Sequence, residues 1–277
     1  LCTLPSLTCL TFTKYRFPEN VSSLMRLPKS LTYLEHHSRS AGPWSKPDRP
    51  RLDEVLPNLR HFSCYLEEAK FDPSTLLAEL PTQLTALRIA SAMADNILYL
   101  EPGGISIRER LPSLTFLAVI QTSQSPLASL VLRASAPLRT LPESLTELQM
   151  PRSSCFCAEG WMPFMNLTAL QTLQLYTLEA SLLHLLPASL KRLSLGPVFA
   201  DNAALIFKNL PPNIQEIEIL QSFLGALLWT PSLTSITVRQ FLSTGEILYL
   251  LRDLAPADGL HPAHLRTLDL PTSIVAE

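Results

Sequence analysis

One phrase recurs along this chain and limits its fold more than any other feature: Leu-Pro-x-x-Leu-x-x-Leu, usually followed two residues later by another apolar side chain. The clearest copies are LPKSLTYLEH from Leu27, LPTQLTALRI from Leu80, LPESLTELQM from Leu141 and LPASLKRLSL from Leu186. A phrase repeated every few tens of residues marks a solenoid. Each copy is a supersecondary unit that cannot bury its apolar side alone, so the copies must stack.

The register extends to eleven copies. Their first anchors are Leu7, Leu31, Leu59, Leu84, Leu114, Leu145, Leu170, Leu190, Ile214, Leu233 and Leu265, spaced 19 to 32 residues apart. A second and third anchor follow three and five residues later, as in Leu84, Leu87 and Ile89. Of all the anchors, only His36 breaks the apolar rule. The alternation around the second and third anchors is the period-two pattern of a strand with one buried face.

Strands repeated with similar connections must run parallel, and parallel strands need crossover segments between them. Three of these segments read as helices. Asp72-Pro73 before STLLAEL supplies a cap and a proline at the first helical position. Asp201 precedes NAALIFKNL, and Ser243–Glu246 forms a capping box before ILYLLRDL. The recurring proline then ends each helix.

These features resemble the leucine-rich repeat family over nearly the whole chain. The resemblance implies an α/β solenoid (a horseshoe) with a parallel β-sheet on the concave face and short helices and irregular arches on the convex face. The LPxSLxxLxL cadence is also similar to the FNIP-type repeats and to the F-box/leucine-rich-repeat group. One departure stands out. The family commonly places Asn or Cys three residues after the last anchor, whereas here that slot holds residues such as Tyr15, Glu67, Thr122 and Leu178. Without an asparagine ladder, irregular turns are expected after the strands.

Composition fits one elongated array over 1–277, with 47% hydrophobic residues, 24 prolines and only 8 glycines. The array starts almost inside a repeat, without the polar cap that solenoid ends need, so a fragment of a longer protein is expected. A net charge of −2 and no basic stripe argue against a nucleic-acid or anionic-membrane partner. The densest charge cluster, KPDRPR from Lys46, reads as a solvated loop. No apolar run reaches the length of a transmembrane helix. The five cysteines do not form a secreted disulfide framework, and the single residue between Cys155 and Cys157 is poor spacing for zinc. Sequons at Asn20 and Asn166 are as many as chance supplies in a chain this rich in Ser and Thr. A monomeric, cytoplasmic protein is the expectation.

No phosphate-binding glycine loop, H-E-x-x-H or G-x-S-x-G occurs, so neither an enzyme nor a cofactor is expected. His37, His61 and Cys64 fall near one another in the repeat register, but they read as surface histidines and a core cysteine rather than as a metal site. Function must then reside in the residues between anchors, and in this family the concave sheet usually carries the ligand. The expected contact surface comprises Tyr33, His37, His61, Tyr65, Arg88, Phe116 and Ile120. Cross-strand stacking, or cover by the long arch from Ser38 to Arg51, is the alternative for its aromatics, and Arg192 is expected to pair with Glu216 or Glu218. The expected partner is a protein. The bearer is an intracellular adaptor or substrate-recruiting ligase receptor, an extracellular recognition domain, or the reading array of an effector.

Overall fold

The computed structural model describes residues 5–12, 26–38, 51–66, 76–91, 105–122, 141–150, 166–175, 185–196, 210–219, 232–239 and 265–270. The chain divides into two compact units, Leu1–Ser153 and Ser154–Glu277. The first unit carries β1 (Cys9–Phe12), β2 (Tyr33–Ser38), β3 (His61–Leu66), β4 (Ala86–Ser91), β5 (Phe116–Gln121) and β6 (Glu147–Met150). The second carries β7 (Thr172–Leu175), β8 (Arg192–Leu195), β9 (Glu216–Ile219), β10 (Ser235–Val238) and β11 (Thr267–Asp269). All eleven expected strands are present. Within each unit neighbouring strands pair parallel and in sequence order.

The register follows the anchors. Leu34, Phe62, Leu87, Leu117 and Leu148 are successive partners across β2 to β6. All five are at most 1% exposed. Leu27, Leu56, Leu80, Leu111 and Leu141, one per repeat ahead of the proline turn, are buried with them. In the second unit Leu173, Leu193, Ile217 and Ile236 repeat the pattern. Each apolar side chain removed from water contributes roughly 1.5–3 kcal/mol, and within each unit the buried anchors form a row rather than a central cluster. The outermost strands have a neighbour on one side only. Leu10 and Phe12 on β1, and Leu268 on β11, are accordingly only half-buried.

The proline turns come in two lengths. In Leu27-Pro28-Lys29-Ser30-Leu31 the Pro28 carbonyl accepts from Leu31 N–H at 3.1 Å. The shorter Leu56-Pro57-Asn58-Leu59 moves the proline to the second turn position, and Leu56 O accepts from Leu59 N–H at 3.1 Å. Proline suits that position because its fixed φ matches the turn. It is exposed there, whereas Pro28, Pro81, Pro142, Pro187 and Pro211 in the longer turns are buried.

The polar residues flanking the first anchor form ladders of their own. The Thr32, Thr85, Thr115 and Thr146 hydroxyls each donate to a carbonyl of the preceding repeat, at 3.0–3.2 Å. Thr234 does the same in the second unit, donating to Gln215 O at 3.0 Å. The residue before the anchor reaches back as well: Ser30 to Leu7 O, Ser144 to Leu114 O, Ser189 to Leu170 O and Ser232 to Ile214 O, at 2.7–2.8 Å. Asn58 and Asn213 fill the same place with their side-chain amides. The missing asparagine ladder after the strands therefore has a substitute before them, written in the Ser-Leu-Thr of the repeat phrase. The expected irregular turns after the strands lie mostly outside the described residues.

Of the first expected helix, Leu76 and Leu77 are described and are helical; two further short helices among the described residues were not expected. α1 (Leu52–Val55) and α2 (Ile107–Arg110) each end at a leucine followed by proline. Proline stops them because it has no N–H to continue the ladder. α2 lies between β4 and β5, in a crossover segment where no helix was expected. Its signal was Ser106-x-x-Glu109: Glu109 N–H donates to Ser106 Oγ at 3.0 Å, and Ser106 N–H donates to Glu109 Oε2 at 3.1 Å. Asp72, Pro73 and the segments from Asp201 and Ser243 lie outside the described residues.

Asp53 on α1 ties successive arches together. Arg110 donates to its Oδ2 at 2.7 Å and to Leu77 O at 3.3 Å. Arg51 donates to both Asp53 carboxylate oxygens. Burial works to raise the Asp53 carboxyl, and the hydrogen bonds from Arg51 and Arg110 outweigh it, holding the pKa below the ordinary value.

Leu87→Ala, in the middle of the row, is expected to cost about 2–5 kcal/mol, read from the midpoint of urea unfolding. Leu268→Ala on β11 should cost less than half as much, because that side chain is already half in water. Ser144→Ala should cost about 1 kcal/mol on the same curve, since it removes one donor shared by two carbonyls.

Candidate interaction surface

Period-two alternation sends the residues between anchors to the other side of the sheet, here termed the open face. Pairing aligns them in rows. Tyr33, His61, Ala86, Phe116 and Glu147 form one row across β2 to β6. Glu35, Ser63, Arg88, Ala118 and Gln149 form the next. His37, Tyr65, Ala90 and Ile120 form a third across β2 to β5. All seven residues of the expected contact surface thus share one face of the first unit. Their exposure differs from a bare aromatic patch: His61 and Arg88 are exposed, while Tyr33, His37, Tyr65, Phe116 and Ile120 are half-buried.

Part of the patch is engaged internally. Tyr33 O–H donates to Glu35 Oε2 at 2.9 Å, and His37 Nε2 lies 2.8 Å from Glu35 Oε1. The bond with His37 is the main influence holding the Glu35 carboxyl below its ordinary value; burial opposes it and Tyr33 assists. An ionised Glu35 only accepts, so Nε2 of His37 carries the proton. Burial first, then the bond to Glu35, raises the Tyr33 phenol. The His37 and Tyr65 rings stack at 5.5 Å and 17°, and Tyr33 lies over His61 at 5.9 Å and 33°. Cross-strand stacking is therefore one role of these aromatics, and it fixes them in place.

The centre is built differently. Arg88 stands on β4 with Ala86 and Ala90 along its strand and Ser63 and Ala118 as its lateral partners. All four are small. Ala90 and Ala118 are 2% and 0% exposed although they are on the open face. The corners of this three-by-three grid are His61, Tyr65, Phe116 and Ile120, all large. Strands about 4.8 Å apart with a rise of about 3.3 Å per residue put each corner about 8 Å from the Arg88 backbone.

The second unit shows a contrasting face. Arg192 Nε is 3.0 Å from Glu216 Oε2, and Arg239 Nε is 2.8 Å from Glu218 Oε1. Arg192 thus takes Glu216, while Glu218 goes to Arg239. Arg88 forms no ion pair or hydrogen bond among the described residues. Its charge acts as a minor influence on both Glu35 and Tyr33, and the two Glu35 oxygens are occupied by His37 and Tyr33. Glu147 accepts from Gln149. Repeat spacing alone did not reveal this imbalance, because it depends on which neighbour each carboxylate chooses.

Histidine clustering resolves by geometry. Cys64 is 1% exposed and on the anchor side, facing away from His37 and His61. Among the described residues no group of three or more His, Cys, Asp and Glu side chains is arranged to hold a metal ion. His36, the odd anchor, is 0% exposed, and the Phe12 ring meets it edge-on at 6.4 Å. Burial, helped by the neighbouring His37, lowers its pKa from 6.5 to about 4. A neutral imidazole therefore fills an apolar slot. Of the remaining motif positions, Asn166 is exposed beside the buried Leu167, and Asn20, Cys155, Cys157, His261 and His264 lie outside the described residues. No helix among the described residues is long and apolar enough to cross a membrane.

The repeat phrase, the in-register parallel strands and the buried anchor rows together give each unit the α/β fold of leucine-rich repeats. No family model matches the chain, and no curated protein matches it. The crystal structure of CroV588, described as a novel circular LRR protein, is similar over 84% of this chain at 19% identity, with a TM-score of 0.44. The match covers 34% of that protein, so the chain spans about a third of its length.

The folded state favours neutral His36, so stability is complete above pH 6.5 and falls as pH drops from 6.5 toward 4. The loss reaches about 3 kcal/mol at most. Urea unfolding of the wild type and His36→Leu at pH 7 and pH 4.5 checks this: the slope should flatten in the variant.

Proposed function

We propose that this chain is a protein-interaction scaffold that presents the open face of its first unit to a protein partner. It acts by preorganised shape and carries out no reaction of its own. The observation that carries this reading is the grid around Arg88, where exposed and half-buried aromatic and apolar side chains surround a cation that has no ion pair among the described residues. Aromatic residues and arginine are the types that dominate interface hot spots, and neighbours that exclude water strengthen them. The stacked His37–Tyr65 pair and the Glu35 network support the reading too, because rings fixed before binding lose less entropy on association. A monomeric array serving as an adaptor is the form of protein this surface suits best.

The test is capture from a native lysate by wild type, by Tyr65→Ala/Phe116→Ala, and by Glu143→Ala. Glu143 pairs with Arg108 in a turn, with both side chains more than half exposed, and its loss should be nearly silent. Folding of each variant is verified by its melting transition. A partner set retained by wild type and Glu143→Ala but lost from the double variant is the expected result. A partner set unchanged in the double variant would remove the open face of the first unit from consideration.

A further inference from the structure

We propose that the grid centred on Arg88 recognises a single carboxylate, an Asp or Glu side chain of an extended acidic peptide segment, flanked on the peptide by apolar residues. This rests on the interaction reading above and specifies the chemistry of its partner.

Charge complementarity leads the argument. On the open face the described arginines of the second unit already have carboxylate partners, at 3.0 and 2.8 Å. Arg88 has none. The carboxylates nearest in its rows are committed elsewhere: Glu35 to His37 and Tyr33, and Glu147 to Gln149. An exposed guanidinium with no internal acid is best matched by an acid from outside. Its planar fork fits the two oxygens of a carboxylate.

The surroundings select among anions. A single cation balances one negative charge. A phosphate of charge near two would keep one negative charge unmatched by that cation. The observations therefore favour a carboxylate over a phosphorylated side chain. They also favour a peptide over a nucleic acid, since a single arginine is no basic stripe. Small neighbours leave the guanidinium accessible from the sides, and the corners His61, Tyr65, Phe116 and Ile120 offer apolar contact about 8 Å away. An extended peptide advances about 3.3 Å per residue, so residues two or three positions from the acid reach those corners.

The probe is a random twelve-residue peptide library selected against the folded wild-type chain, Arg88→Gln and Phe116→Ala. Arg88 is exposed and unpaired, so Arg88→Gln should leave the melting transition unchanged. Wild type is expected to enrich peptides with one Asp or Glu flanked by apolar residues. Binding should weaken about tenfold or more in Arg88→Gln, the usual scale for a lost charge-assisted pair. The same loss should follow from replacing the peptide acid by its amide. Peptides that need Phe116 but show no acidic preference would overturn the carboxylate assignment and leave the scaffold reading standing. Tighter binding of a phosphoserine version than of the Glu version would also overturn it. Peptides indifferent to both Arg88 and Phe116, or no enrichment at all, would overturn both readings.

Discussion

Everything in this fold depends on keeping equivalent leucines in register from one repeat to the next. A strand with one apolar face and two short turns has no core of its own. It gains one only when Leu87 packs between Phe62 and Leu117, and so on along the row. The backbone ladder and the apolar row enforce the same register, because a slip by one residue would turn every anchor to the other face. That agreement explains why a histidine is tolerated at an anchor position. His36 keeps its place against Phe12 by remaining neutral, at a cost that appears only in acid.

The polar side of the register matters nearly as much. Carbonyls at the strand entrance already accept backbone N–H groups from the next repeat, as Thr8 O does from Thr32 and Tyr33. Threonine and serine hydroxyls add a further donor to this line of acceptors. The Asp53–Arg110 clamp does comparable work on the helical side. Each of these bonds contributes modestly in net terms, but all of them join one repeat to its neighbour, so they reinforce the unit that stacking requires.

The two open faces use charge differently. In the second unit acids and arginines neutralise one another across adjacent strands. In the first, a carboxylate is drawn into a network with a tyrosine and a histidine, and among the described residues a cation is left over. Exposed ion pairs contribute little to stability, so the difference has little consequence for folding. It does matter for recognition, where an unmatched charge among rigid rings favours partners of the opposite sign and disfavours others.

How much of this was legible depends on the range of the interactions. The strands, their parallel order, the anchors and the three open-face rows followed from the sequence, because period-two alternation and a strict repeat phrase decide which side each residue faces. Even α2 was partly written in it: Ser106 and Glu109 spell a capping box that the repeat pattern obscured. The open-face residues could be named but not weighed. Whether Glu35 turns to His37 or to Arg88, and whether Glu218 turns to Arg192 or to Arg239, depends on side-chain distances of a few ångströms between strands some twenty or more residues apart in the chain. The sequence by itself determined the scaffold, since the scaffold is a sum of identical local choices. Only the tertiary structure decided which charge would be left without a partner, because that is a competition among neighbours brought together by the stacking.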